Sequence, residues 1–226
     1  MFQAIYSSPW HTPAAFWAAG IAFLAWWSRR QAFLVGFFAL FTVEILADAL
    51  ASGAWSPLAG TTSPWATPIS IAFVILGDFR YFLLVERFAR RPDASPREPT
   101  SRATWAAAIG LGLVVPVASA VVNQAAHVAD ARRTYLVYEA MFLVLALVLR
   151  FVVLPRRLVG VKAGIPRWLL RLTLFQVVQY GLWALSDVVI LRGFDAGFLL
   201  RLVPNAMYYA LFLPFVAVTA PREVEP

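Results

Sequence analysis

The stretch Ala72-Phe-Val-Ile-Leu-Gly77-Asp78-Phe-Arg80-Tyr-Phe-Leu-Leu-Val85 sets an acid and a base in the middle of an apolar run. In a membrane span each such charge costs roughly 2.5–3.5 kcal/mol at the helix centre on insertion scales. Residues of this kind face a bundle interior and have partners there. The rest of the chain is therefore read as the scaffold that supplies those partners.

Composition agrees. The chain is 61% hydrophobic and only 14% charged, with a mean hydropathy of +0.72. Soluble domains sit nearer 45–50% apolar and about 25% charged. The 226 residues hold about seven helical spans of ~20 residues each. An outer-membrane barrel would show alternating segments of about ten residues, whereas these runs are continuous. The expected fold is all-α: a single integral membrane domain, residues 1–226, with spans at 13–27, 31–52, 66–88, 103–122, 134–154, 168–191 and 198–218.

The basic residues predict orientation. The net charge is +7, but the arginines collect at span ends, which fits orientation and lipid headgroups better than nucleic acid. With Arg29-Arg30 in the cytoplasm, that side also takes Arg87, Arg90, Arg91, Arg97, Arg102, Arg150, Arg156, Arg157, Lys162, Arg167, Arg171 and Arg222. The other side takes Arg132, Arg133, Arg192 and Arg201. This bias predicts an outside N-terminus and an inside C-terminus, in a bacterial cytoplasmic membrane. Met1 to Trp10 lack a basic n-region and a small-residue cleavage site, so no removable signal peptide is expected. No cysteine is present, which removes disulfides and thiolate metal sites. His11 and His127 fall in or near outer loops, so neither a metal nor another cofactor is expected. Lys162, the sole lysine, lies in a loop, which excludes a retinal Schiff base in the last span.

Helical spacing sorts the polar residues into stripes. Glu44 and Asp48 are i,i+4 on span 2. Tyr135, Glu139 and Phe142 line up on span 5. Gln176, Tyr180, Trp183 and Asp187 share a face of span 6, and Arg201, Asn205, Tyr208 and Phe212 share a face of span 7. Their depths predict one polar cavity open toward the outside, in which five acids (Glu44, Asp48, Asp78, Glu139, Asp187) meet two bases (Arg80, Arg201). An excess of buried acid is what acid–base chemistry uses; a proton- or cation-coupled carrier uses it too. Structural glue between helices uses Asp–Arg pairs as well. The expected partners are membrane lipids and a lipid or small-molecule ligand.

Two segments carry a family resemblance. Leu76-Gly77-Asp78 in the third span, and Gly181-Leu-Trp-Ala-Leu-Ser-Asp187 followed by a span with Tyr208-Tyr209, resemble the lysoplasmalogenases, multi-span membrane enzymes. Tyr135-Leu-Val-Tyr138 and Met141 are similar to that family's middle span. The resemblance covers about a tenth of the chain. It implies Asp78 and Asp187 as a catalytic pair that cleaves a vinyl ether: the alkene carbon is protonated, and water adds to the oxocarbenium ion. The chain departs from that pattern in having about seven spans where the family has about eight, and in lacking its early Lys-Pro. The competing reading is a small-solute transporter, or a seven-span sensor or binding protein.

Overall fold

A computed structural model describes residues 1–8, 11–28, 32–52, 65–90, 98–161, 164–221 and 224. Among them the secondary structure is helical. A short helix α1 (Phe2–Tyr6) precedes seven long ones: α2 (His11–Ser28), α3 (Ala32–Ser52), α4 (Ala66–Arg90), α5 (Arg102–Ala125), α6 (Ala131–Arg157), α7 (Gly164–Leu191) and α8 (Ala196–Thr219). Each long helix covers one of the segments expected from hydropathy, reaching a few residues further at most ends. The expected loop Gly53–Pro64, the arginines Arg29, Arg30, Arg91, Arg97 and Arg222, and Trp10, Gln31 and Lys162 lie outside the described residues, as do the side chains of His11 and Trp17.

Among the described residues four helices, α5 to α8, are long and apolar enough to cross a membrane. Their surface chemistry agrees with that. Ile109, Leu113, Val117 and Val121 form an exposed i,i+4 stripe on α5, while Thr104, Ala108, Gly112, Val115 and Ser119 turn inward. Val144, Phe151, Val178, Leu185, Val203 and Leu211 are exposed on the other three. The charged residues Asp78, Arg80, Glu86, Arg87, Glu139 and Asp187 are buried instead. Apolar surface outside and charge inside is the reverse of a soluble domain. These features are consistent with an integral membrane protein.

Consecutive helices pack on one another, and α2 also lies against the second half of α8, so the ring closes. α4 is drawn inward: from Arg80 to Ala89 every residue is buried. That is why its apolar pattern runs continuously and shows no single face. α4 ends and α5 starts near a common rim, where Arg157 grips Glu86 through two bonds of 2.6 and 3.1 Å. Arg87 and Arg90 donate there to the carbonyls of Glu98 and Ala103. The opposite rim holds Met1, Asp195 and the starts of α6 and α8. Local caps fix two helix starts: Ser101 Oγ accepts from the Thr104 N–H, and Asp130 from the Arg133 N–H, satisfying donors that a helix N-terminus leaves free.

Prolines shape two helices. α6 widens into a π turn at Leu149–Val153 and α8 at Met207–Leu211. Pro155 and Pro214 follow, and a proline ring clashes with the carbonyl four residues earlier. Those carbonyls belong to Phe151 and Ala210, inside the two wide turns. The extra residue in each turn relieves the clash without ending the helix. Between α7 and α8 the chain turns at Gly193, φ +87°. Gly197 then lets α8 approach α7 so closely that a Cβ there would lie 2.8 Å from the Ser186 carbonyl.

Candidate functional site

Three groups of polar residues meet inside the ring. The first is built on Asp78, 2% exposed. Its two carboxylate oxygens accept one hydroxyl each, from Tyr138 of α6 and Tyr180 of α7. Phe142 stacks on the Tyr180 ring at 3.9 Å and 17°, which fixes the phenol that reaches Asp78. Beside it, Gly77 faces Tyr208: a Cβ at position 77 would fall 1.7 Å from the Tyr208 hydroxyl. That hydroxyl donates to the Phe73 carbonyl at 3.0 Å. Glycine at 77 is thus required by the close approach of α4 and α8.

The second group is centred on Arg80, 1% exposed. Residues 78 and 80 lie about 200° apart around a helix, so Arg80 turns from the Asp78 side toward α8. Its Nη2 donates to the Tyr208 carbonyl at 2.6 Å, and its guanidinium lies 4.3 Å from the Tyr208 ring centroid and 4.7 Å from that of Phe212. The wide turn helps, because Phe212 N–H reaches back to the Met207 carbonyl and shifts the ladder beside Tyr208. Cation–π contact of this kind contributes about 2 kcal/mol when desolvated. Among the described residues Arg80 Nη1 and both oxygens of the buried Glu44 have no hydrogen-bond partner. Asp48, one turn from Glu44, is hydrogen-bonded to the Tyr209 hydroxyl.

The third group sits toward the Met1 rim. Asp187 is fully buried, and its Oδ1 accepts from Arg132 Nη1 at 2.7 Å and from Arg201 Nη1. Arg201 Nη2 pairs with Glu139 at 3.1 Å, and its Nε donates to the Tyr6 hydroxyl at 3.2 Å. All three guanidinium nitrogens of Arg201 are therefore committed. Asp187 Oδ2 and Glu139 Oε2 are buried without a partner among the described residues. Trp183 donates its indole N–H to Asn205 at 2.8 Å, tying α7 to α8.

A cavity of about 330 Å³ joins these groups. Tyr6, Ala131 and Arg132 border its outer part, where Ala131 is exposed; Tyr138, Tyr180 and Tyr208 form its buried floor. Tyr135, Glu139, Trp183, Asp187, Arg201, Asn205 and Tyr209 make up most of the wall. Asp78 and Asp48 lie behind that wall, each joined to it by tyrosine hydroxyls. No family model, curated protein or solved structure matches this chain.

Of the residues singled out in the sequence, Glu139, Tyr180, Trp183, Asp187, Arg201, Asn205 and Tyr208 border the cavity together. Asp78, Glu44, Asp48, Arg80 and Gln176 are buried but not among its lining residues. Asp78 and Asp187 share no hydrogen-bond partner among the described contacts. Tyr180 and Asp187 are seven residues apart on α7, about 10 Å of helix rise. Three residues were missed. Arg132 is a third cation, assigned to the outer loop because it sits one residue into a helix. Tyr138 appeared only through the resemblance, although Tyr138 and Phe142 are i,i+4. Tyr6 lies outside every hydropathic span. No cluster of three or more metal-ligating side chains occurs among the described residues.

Proposed function

We propose that the protein is a seven-span membrane carrier, N-terminus outside and C-terminus inside, that binds a small solute in this cavity. One observation carries the reading: the cavity is bordered by two carboxylate residues, each with a buried oxygen that lacks a partner among the described residues, and by aromatic rings, and volumes of this order hold small ligands. The two rims support the orientation. Arg87, Arg90, Arg102 and Arg157 gather at one, and the cavity opens toward the other, poorer in base. Polar groups continue past the floor through Asp78 and the Tyr81–Thr173 hydrogen bond of 3.0 Å toward Glu86, as a coupled carrier requires. A reporter enzyme active only in the cytoplasm should work when fused after Pro226; activity of a periplasm-only reporter at that site would reject the orientation. Purified protein in lipid nanodiscs should be thermally stabilised, saturably, by at least one class in a panel of small charged solutes. Trp183→Ala should abolish that shift.

A second reading has a specific observation behind it. Asp187 and both tyrosines that hold Asp78 line the same cavity, so the pair implied by the lysoplasmalogenase resemblance reaches one space. In that reading an acid relayed through a tyrosine hydroxyl protonates the vinyl-ether carbon. Water adds to the oxocarbenium ion, and the hemiacetal collapses to an aldehyde and a glycerophospho-headgroup. The carrier reading is preferred because both oxygens of Asp78 already accept hydroxyls, and Asp78 is not among the cavity's lining residues. Aldehyde release from a vinyl-ether lysophospholipid, lost in Asp78→Asn, would reverse that preference.

A further inference from the structure

The cavity's free polar atoms specify what it takes. Each guanidinium nitrogen of Arg201, the cation set deepest in the wall, already meets a partner: Tyr6, Asp187 or Glu139. Arg132 is held by Asp187 Oδ1 and lies over the Phe198 ring at 5.2 Å. Among the described residues two buried acceptors have no partner, Glu139 Oε2 and Asp187 Oδ2, on side chains that are 3% and 0% exposed. Buried acceptors left without donors are costly, so the complement is a donor. Acidic groups also outnumber basic ones in the interior. Counting the residues behind the wall, five carboxylates (Glu44, Asp48, Asp78, Glu139, Asp187) face three guanidiniums (Arg80, Arg132, Arg201). Trp183 stands 5.2 Å from the Tyr180 ring and 5.6 Å from that of Tyr208, a concave aromatic surface suited to a cation.

Resting on the solute-binding reading above, we propose that the ligand is a primary organic ammonium. Its N–H groups reach Glu139 Oε2 and Asp187 Oδ2, and its carbon skeleton lies against Trp183 and Tyr180. An anion brings further acceptors to these two unpaired oxygens. A neutral alcohol satisfies one acceptor and leaves the other unpaired.

The test uses the purified full chain in nanodiscs, with binding followed by tryptophan fluorescence and calorimetry. The probes are benzylammonium, benzyl alcohol and benzoate. Benzylammonium should bind saturably, at least tenfold tighter than benzyl alcohol, and benzoate should not compete. Glu139→Gln should weaken benzylammonium about tenfold while leaving benzyl alcohol unchanged. The wild-type comparison stands even if that variant folds poorly. Nanodiscs with and without ethanolamine-headgroup lipid separate the ammonium's two sources: competition by that lipid marks a headgroup, and its absence marks a soluble amine. Benzyl alcohol or benzoate binding as tightly as benzylammonium would overturn the ammonium assignment and leave the solute-binding reading standing. Binding of none of the three would overturn the assignment, and the solute panel then decides the broader reading separately.

Discussion

Asp78 and Arg80, two residues apart on α4, do not pair with each other: the acid is held by Tyr138 and Tyr180, and the base by the carbonyl and ring of Tyr208. Each is bound by neutral groups from a different neighbour. α4 is thereby fastened to α6 and α7 on one side and to α8 on the other. Tyr180→Phe should therefore destabilise the protein by about 1–3 kcal/mol, the cost of leaving a buried acceptor short of a donor. Tyr138→Phe should cost a similar amount, and the double variant should differ from the sum, since both act on one carboxylate. Unfolding of the three variants in detergent micelles checks this; additive effects within about 0.3 kcal/mol would reject the shared role.

Gly77→Ala puts a methyl group into the Tyr208 side chain, with the hydroxyl at 1.7 Å and Cζ at 2.3 Å. Overpacking of this sort costs about 1–3 kcal/mol. Tyr208→Phe should not rescue the variant, because the ring atom still collides. Tyr208→Leu should rescue most of it. Melting temperatures of the two double variants decide.

Asp187→Ala leaves Arg132 and Arg201 facing each other without their shared acid. Removing one partner from a buried ion network costs about 3–5 kcal/mol. Arg132→Leu should cost less, since Arg132 is partly exposed and Arg201 still holds Asp187. An Asp187→Ala variant as stable as the wild type in the same micelle assay would show that the network is not buried as described.

The docking of α1 should depend on pH. Asp195 lies outside the membrane-spanning segments and accepts from the Met1 ammonium at 2.8 Å and from the Phe2 and Gln3 N–H groups. These bonds, the ammonium's first, hold its carboxyl below the ordinary aspartate range. A lowered folded-state value means that the contribution is fully present above the ordinary range of about 4 and is lost as pH falls through the lowered value. Hydrogen exchange of Phe2 and Gln3 should be slow at pH 6 and speed up, beyond the intrinsic rate change, near pH 3. Asp195→Asn should show the fast exchange already at pH 6.

The helices were legible in the sequence because lipid-facing and core-facing surfaces are both apolar, so the spans stand out as runs such as Ala140–Leu149. The stripes were legible where the helix is regular: Gln176, Tyr180, Trp183 and Asp187 are all buried on α7. What spacing did not show is which polar residues meet. Asp78 and Arg80 look like a pair in sequence, yet the helix turns them apart. Arg132 was counted with the loop charges, because nothing local says that the first turn of α6 leans over Asp187. Tyr209 fell off the stripe drawn through Arg201, Asn205 and Tyr208, since that stripe assumes an unbroken α period.

The wide turn at Met207–Leu211 has a consequence for how α8 is divided. A π turn holds one residue more than an α turn, so the helix beyond it is rotated by about 100° relative to an unbroken one. The two halves of α8 are thus phased independently: Arg201 and Asn205 are timed to α7 and the cavity, and Phe212 and Val216 to the core on the far side. Tyr208 and Tyr209, inside the dislocation, both border the cavity although they are neighbours in sequence. Deleting one residue there would restore a regular spiral and put the halves out of phase. The helix behaves as two gears on one shaft, and the dislocation is the coupling that sets their offset.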